Sequence, residues 1–435
     1  MNRVTKLFQP TAPIPKSLQD SNIIKSQRMM LEQGVIRAAT STGLYTLLPL
    51  GMRALKKLEV IVDRFMEKVG AQRLLLPTLT SDKLWKQSGR LEEAKAGSEL
   101  FLLEDRHQRQ YILGPTHEEA ITEMLAAEIG LSYRRLPLLL YQVSNKYRDE
   151  PRPRYGLLRT REFVMKDMYS FDANAENALE TYQSVTEAYN GIFQELGVKY
   201  VRVEGDSGMM GGSMSHEFHY PCESGEEQII QCQNCHNSSN ASLLESPVSS
   251  CPHCRSSDIT IMHGIEVGHT FILGTRYSQP MNATFTADDN TIQPLIMGCY
   301  GLGLSRILAA SVEALSLPTE LRWPLSIAPY KVCIITPKHG SKEEAASGLT
   351  QSLYDLIECN QAFKNDVIVD DRTNLSIGRR LREAKRSGYP LIIVIGKKAT
   401  QDIPRFEVFD LINNQEYEWT DGSLATRLKE YCADT

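Results

Sequence analysis

Lys146-Tyr147-Arg148-Asp149-Glu150-Pro151-Arg152-Pro153-Arg154-Tyr155-Gly156-Leu157-Leu158-Arg159-Thr160-Arg161-Glu162-Phe163 is the stretch on which the reading of this chain turns. Before Glu162 it carries six Arg or Lys and two acids, interleaved with prolines and aromatics. A surface that only attracted nucleic acid would have no use for carboxylates within it. Apolar sequence flanks it, Leu138 to Tyr141 before and Phe163 to Met165 after. That pattern predicts two antiparallel strands joined by a Pro/Gly loop. Arg148 and Arg159 then enter one pocket and grip a polyanion while a carboxylate reads a neutral ring. A nucleoside triphosphate can be held this way without a glycine-rich phosphate loop.

Around this stretch, 435 residues with 42% hydrophobic content suffice for two or three domains. The net charge of −5 creates no global field for nucleic acid, so any RNA contact must use local basic patches. No apolar run approaches 18 residues, and no membrane span is expected. Of nine cysteines, four form the pairs Cys232/Cys235 and Cys251/Cys254. Such usage fits a reducing compartment better than a disulfide framework. The pairs have zinc-ribbon spacing, with His236 and His253 as neighbouring alternative ligands. The first nineteen residues hold Arg3, Lys6 and Lys16 and no acid, compatible with a remnant of an organelle-targeting region.

Leu55, Leu58, Val62, Phe65 and Val69 recur at helical spacing, predicting a helix over 52–69 followed by a strand from Arg73 to Leu76 that ends at Pro77. A second helix is expected over 173–197, with Leu179, Tyr182, Val185, Tyr189, Phe193 and Leu196 on its buried side. Residues 222–263 lack periodicity and read as a small Cys-rich insertion. Residues 324–330, bounded by prolines, read as a linker. Beyond them, apolar strands at 331–336, 366–370 and 391–396 alternate with helical sequence, a pattern for a small α/β domain over 331–435.

The opening stretch resembles motif 2 of the class II aminoacyl-tRNA synthetases, with Arg159, Phe163 and Asp167 as its second half. Met297-Gly298-Cys299-Tyr300-Gly301-Leu302-Gly303-Leu304-Ser305-Arg306 resembles motif 3, and Gly51 to Pro77 resembles motif 1. Three further runs are similar to the bacterial and mitochondrial prolyl-tRNA synthetases in particular: Gly114-Pro115-Thr116-His117-Glu118-Glu119, the Arg148-to-Arg154 loop, and Gly212-Ser213-x-Ser215-His216-Glu217-Phe218. The similarity runs from about Ser21 to the end of the chain. It implies an α/β (α+β) fold, with an antiparallel-sheet catalytic core over 1–323, the insertion within it, and an anticodon-binding domain over 331–435. It also implies a homodimer through the motif 1 unit. Roughly forty inserted residues are too few for the large editing domain that many bacterial relatives carry at that place.

The activity implied is ATP-dependent ligation of L-proline to tRNA(Pro) through a prolyl adenylate, releasing AMP and diphosphate. By resemblance, Arg148 spans the α-phosphate and the proline carboxylate, Arg159 and Arg306 hold the outer phosphates, and Glu150 accepts from the adenine amino group beside Thr160. Thr116 and Glu118 take the secondary amine, because a cationic imino group cannot be buried without a carboxylate. Read without the family, Thr116 is simply the N-cap of a helix whose capping box Glu119 closes. Phe163, His216, Glu217 and Phe218 are candidate walls of the proline pocket, with His269 nearby. Glu266 is the candidate Mg²⁺ or ribose ligand, and Cys299 is at most an accessible thiol. Arg152 and Arg154 are candidates for the tRNA acceptor end. In the C-terminal part, the basic run Arg372–Arg386 is a candidate anticodon-stem face, with Asp370, Asp371 and Arg372 as base readers. The family branch implies the mitochondrial matrix, with a bacterial cytoplasm as the alternative. Rival readings are another class II synthetase and a non-catalytic synthetase-like protein, although such descendants usually lose the motif arginines.

Overall fold

The computed structural model describes residues 1–11, 23–91, 99–128, 130–206, 208–244 and 249–434, so Lys16 lies outside the described residues. The chain divides into two compact units. One comprises Ala38–Tyr45 and Leu58–Ala310; the other comprises Met1–Arg37, Thr46–Lys57 and Ser311–Thr435. The described residues among the first 37 therefore cluster with the C-terminal part.

Helix α1 (Pro49–Lys68) is followed by strand β1 (Gln72–Arg73), helix α2 (Glu118–Ala126), and strands β2 (Leu138–Tyr147) and β3 (Glu162–Asp172). Next come helix α3 (Ala175–Leu196) and strands β4 (Val201–Glu204), β5 (Met214–Pro221), β6 (Glu227–Cys232), β7 (Ser238–Asn240), β8 (Ile259–Gly274) and β9 (Ile296–Gly303), then helix α4 (Leu304–Leu315). The nine strands form one sheet in the order β5-β4-β7-β6-β8-β9-β3-β2-β1. The expected hairpin is its centre: β2 and β3 pair antiparallel from Leu138↔Phe171 to Tyr147↔Glu162. On its other side β3 pairs with β9, setting Gly303 against Met165.

Asn174 caps α3 by accepting from Asn177 N, and Gly197 ends it in the left-handed conformation. Its buried face runs through Ala178, Tyr182, Val185, Tyr189, Ile192, Phe193 and Leu196. Leu179, expected on that stripe, is exposed, because the stripe steps from 178 to 182. A Cβ on Gly191 would meet the ring of Phe65 at 2.3 Å, so glycine there lets α1 and α3 approach. In α1 the buried stripe is Ala54, Leu58, Ile61, Val62 and Met66, with Phe65 half-buried. The strand expected at 73–76 is shorter and earlier: β1 runs parallel to β2, and Leu74 N still donates to Tyr141 O at 2.8 Å before the chain leaves toward Pro77.

The aperiodic 222–263 segment contributes two strands to the main sheet, β6 and β7. It escaped the hydrophobic pattern because β7 is Ser-Ser-Asn and fully buried, its Asn240 Nδ2 donating to Glu217 Oε2 at 3.1 Å.

In the other unit, strands β10 (Val332–Ile335), β11 (Val367–Asp370) and β12 (Leu391–Val394) are parallel and buried at every position. That explains their continuous apolar sequence. Helix α5 (Ile377–Ser387) lies between β11 and β12 in the chain, and the hairpin β13 (Arg405–Asp410) and β14 (Gln415–Thr420) extends the sheet beyond β12. The strand Asn2–Arg3 adds in parallel to the edge of β11. Residues 324–330 contain a 3₁₀ turn, Leu325–Ile327, and Ile327 and Ala328 are fully buried. This is packed structure, not a free tether.

Candidate active site

Thr116, Arg148, Glu150, Arg159, Thr160, Phe163, Glu266, His269 and Arg306 all line a single cavity of about 500 Å³. Alternation on β3 aims Phe163, Met165 and Asp167 into it, while Lys166 points to the opposite face. At the mouth, Arg159 Nε lies 2.8 Å from Glu150 Oε2, and Arg152 N donates to Glu150 Oε1 at 3.0 Å. Burial, the largest single influence, would raise the Glu150 carboxyl, but the hydrogen bonds from Arg159 and Arg152 N and the charges of Arg159 and Arg154 together hold it below the usual range. Arg306 Nη1 donates to Glu266 Oε2 at 3.2 Å and Nε donates to Leu158 O at 3.1 Å. His269 Nδ1 is 3.3 Å from Glu266 Oε1, and its ring stacks on Phe271 at 3.9 Å. Burial opposes ionisation of Glu266, yet His269 and Arg306 prevail and keep it well below the carboxylate range.

Arg148 is different. Its guanidinium lies over the Phe163 ring at 5.3 Å, and among the described residues no carboxylate is within ion-pair distance of it. Burial and the charge of Arg306 lower its pKa, although a guanidinium stays protonated.

Glu118 corrects one expectation: it is fully buried and sits beneath the cavity wall, not on it. As the first residue of α2 its side chain turns inward and collects three donors. Thr116 Oγ1 donates at 2.7 Å, Arg90 Nη1 at 3.1 Å and Cys299 Sγ at 3.1 Å. Thr116 is not the N-cap; His117 holds that position, without a side-chain cap bond. Cys299 is buried, only 5% exposed where it touches the cavity, and burial beside Glu118 pushes its thiol well up. Arg90, which no motif flagged, also reaches Glu119 at 3.4 Å, leaving two buried carboxylates against one guanidinium. Burial and the charge of Glu118 raise the Glu119 carboxyl against the pull of Arg90.

A polar floor underlies this wall. Lys146 Nζ donates to Asp167 Oδ1 at 2.6 Å; Tyr169 OH donates to Asp167 Oδ2 at 2.8 Å and accepts from His117 N at 2.9 Å. The chain Lys146–Asp167–Tyr169 thus fixes the backbone that presents Thr116. In the sequence Lys146 opens the basic stretch and Asp167 closes the motif, while nothing singles out Tyr169.

Three pocket candidates lie elsewhere; Glu217 does not line the cavity, and its Oε2 accepts from Asn240 Nδ2 at 3.1 Å. Phe218 is fully buried on the face of β5 covered by α3, within 5.4 Å of the Tyr189 and Phe193 rings. His216 shares that face and bonds Tyr182 OH at 2.7 Å. Neither lines the cavity. Strand alternation decides this: Ser215 and Glu217 take the other face, and Ser215 Oγ holds His269 Nε2 at 2.6 Å.

The four paired cysteines bring their Sγ atoms within 4.8 Å of one another. The two turns have the same construction. His236 N donates to Cys232 O and Cys232 N to Asn237 O, at 3.1 and 3.0 Å. Arg255 N donates to Cys251 O and Cys251 N to Ser256 O, at 2.9 and 2.8 Å. His236 and Arg255 both have positive φ, 59° and 61°. His253 instead faces Glu204 at 3.2 Å, so the thiols are the convergent set.

In the C-terminal unit much of the basic run is already engaged. Arg372 pairs with Asp370 and Glu383, each at 2.6 Å, and buried Arg380 donates to Thr336 O at 2.6 Å. Asp371 accepts from Thr5 N and Oγ1 at 3.0 and 2.6 Å. Asp370 and Arg372 are therefore braces in this structure, while the Arg382 side of α5 remains outward.

Comparison with known proteins agrees with this class. Residues 101–315 match the tRNA synthetase class II core domain (G, H, P, S and T), and 331–431 match the anticodon binding domain. A Rattus norvegicus protein named probable proline–tRNA ligase, mitochondrial, is 46% identical over 418 residues, covering 93% of this chain and 86% of its own length. The Homo sapiens protein of the same name is 48% identical over 397 residues, with coverages of 90% and 83%. A solved prolyl-tRNA synthetase from Cryptosporidium parvum, complexed with L-proline and AMP, has the same fold, with a TM-score of 0.74 at 16% identity over 94% of this chain and 75% of that one. The chain belongs to the class II aminoacyl-tRNA synthetases and, within them, to the proline–tRNA ligases.

Proposed function

We propose that the cavity forms prolyl adenylate from L-proline and ATP, and that the protein transfers the prolyl group to tRNA(Pro) in mitochondrial translation. One observation carries the site assignment. Of the basic side chains lining the cavity, Arg90, Arg159, His269 and Arg306 each have a carboxylate within ion-pair distance among the described residues, and Arg148 has none. A half-buried guanidinium without a counter-ion is set to receive anions from outside. Arg148 bonds the proline carboxylate and the α-phosphate together, which brings nucleophile and phosphorus into line. Thr116, its hydroxyl proton given to Glu118, turns its lone pairs to the imino N–H groups and relays the buried negative charge. Arg159 and Arg306 take the outer phosphates, and Glu150 with Thr160 reads adenine. Phe163 and His269 wall the proline side.

The ionised Glu266 carboxylate is a hard oxygen donor of the kind Mg²⁺ accepts together with phosphates and water, and Mg²⁺ there supplies shielding of phosphate charge. The Cys232, Cys235, Cys251 and Cys254 thiols fit a structural Zn²⁺. Metal–sulfur bonds of about 2.3 Å give tetrahedral edges of about 3.8 Å, and the closest pairs stand at 3.5 and 3.6 Å. Homodimer formation through the motif 1 unit is supported by Val60 and Leu75, apolar side chains exposed to 61% and 75%. The names of the rat and human relatives support the mitochondrial matrix.

Proline-dependent ATP–diphosphate exchange tests the assignment. Proline, and not threonine, glycine or histidine, is expected to drive exchange, and Arg148→Ala to abolish it. Full exchange in that variant would overturn the roles given to the cavity.

A further inference from the structure

Arg154 and Arg159 face each other across the tip of the β2–β3 loop, where Arg154 N donates to Arg159 O at 3.1 Å. Between them Tyr155 and Gly156 turn the chain through positive φ, 61° and 62°. The turn stands the two guanidiniums side by side, and a single carboxylate spans them. Glu226 Oε1 is 2.6 Å from Arg154 Nε, and Glu226 Oε2 is 2.8 Å from Arg159 Nη1. Glu226 precedes β6, belongs to none of the motifs quoted above, and lines the same cavity as Arg159. Two guanidiniums bridged by two oxygens of one anion is also how arginines take a phosphate group.

We propose that Glu226 is a resident stand-in for phosphate, occupying an oxyanion site built by Arg154 and Arg159 until a phosphate group displaces it. The proposal rests on the nucleotide reading of the cavity. Arg159 holds two carboxylates, and Glu226 is the one that yields, since its side chain is 31% exposed against 11% for Glu150. A half-exposed pair is weak, whereas a phosphate brings more charge to the same two forks. Glu226 keeps two like charges side by side, and in doing so it competes with the ligand. The displacing oxyanion comes from the outer phosphates of ATP or from the backbone of the tRNA acceptor end.

Glu226→Gln removes the charge and keeps the shape. The expected result is a fall of about two- to five-fold in the KM of the displacing ligand, with the proline KM unchanged. Exchange without tRNA reads the ATP arm, and aminoacylation at saturating ATP reads the tRNA arm; a fall confined to one identifies the source. Calorimetric titration with inorganic diphosphate reads the anion site without turnover and is expected to tighten to the same extent. Glu226→Ala moves in the same direction, so the result does not hang on one side chain. Unchanged or raised constants for ATP, tRNA and diphosphate would overturn the proposal and make Glu226 a brace for the loop. Absence of proline-dependent exchange in the unsubstituted protein would instead remove the reading beneath it, while diphosphate binding would still judge the anion site.

Discussion

Replacing Lys166 by methionine tests the physics of the sheet at its centre. Lys166 is fully buried on the α3 side of β3, where its Nζ donates to Tyr189 OH at 2.5 Å and Tyr300 O at 2.9 Å. No carboxylate among the described residues is within ion-pair distance, and burial pushes its ammonium from 10.5 down to about 7. The folded value lies below the unfolded one, so between about pH 7 and 10.5 the unfolded chain binds more protons and stability rises with pH. Below about 7 the full penalty is present: at 1.36 kcal/mol per pH unit it is about 5 kcal/mol, of which about 2 kcal/mol is relieved between pH 7 and 9. Lys166→Met removes the penalty but deprives Tyr189 and Tyr300 of a donor, at a cost of about 1–3 kcal/mol. The variant is therefore expected to be more stable at pH 7 by about 1–3 kcal/mol. The orphaned partners cancel when two pH values are compared. Urea unfolding of both proteins at pH 7 and pH 9 should show the parent gaining about 2 kcal/mol on the variant. Parallel behaviour within about 0.5 kcal/mol would refute the buried-charge argument.

Three further outcomes follow from the site. Arg90→Met leaves Glu118 and Glu119 buried without a cation and is expected to cost about 3–5 kcal/mol in urea unfolding, with part recovered by adding Glu119→Gln; a neutral result would mean that Arg90 does not hold the pair. Thr116→Val removes the acceptor offered to the imino group, and proline kcat/KM in exchange should fall about ten- to a hundredfold with the ATP KM unchanged; equal loss on both substrates would point to collapse of the wall. Elemental analysis should find about one zinc per chain, lost in Cys251→Ser; under about a tenth of a zinc in the unsubstituted protein would reject the metal.

The β2–β3 hairpin was legible because its apolar flanks, prolines and glycine obey local rules, and those rules hold where both strands are central to a sheet. The contacts that complete the site obey none. Arg90 meets Glu118 from 28 residues upstream, a separation that no periodic pattern spans. Glu226 meets Arg159 from 67 residues downstream, out of a segment whose strand β7 carries no hydrophobic signal. Phe218 shows the converse error. A motif match placed it at the substrate, but on β5 a position's parity decides its face, and α3 occupies the even one. Charge pairing across long separations and strand parity relative to a covering helix are properties of topology, which no short window contains.

Those long-range pairs also explain how a cavity with this many ionisable groups can exist before its substrates arrive. Burying several charges is tolerable only if each finds a partner. Arg90 answers Glu118 and Glu119, Arg154 and Arg159 answer Glu150 and Glu226, and Arg306 with His269 answers Glu266. Each of these groups has a partner of opposite sign within the protein, although Arg90 alone faces two carboxylates. Arg148 is left outside this scheme, and its proposed role is to draw two anionic groups together against their mutual repulsion. A cation already compensated by the protein would give up one bond to gain another and supply little net attraction. An uncompensated one offers its whole charge to whatever spans it. In that proposed role the carboxylate and the α-phosphate repel each other more as they approach, and the guanidinium between them offsets the repulsion, so the contact at Arg148 holds both groups in the geometry in which they react.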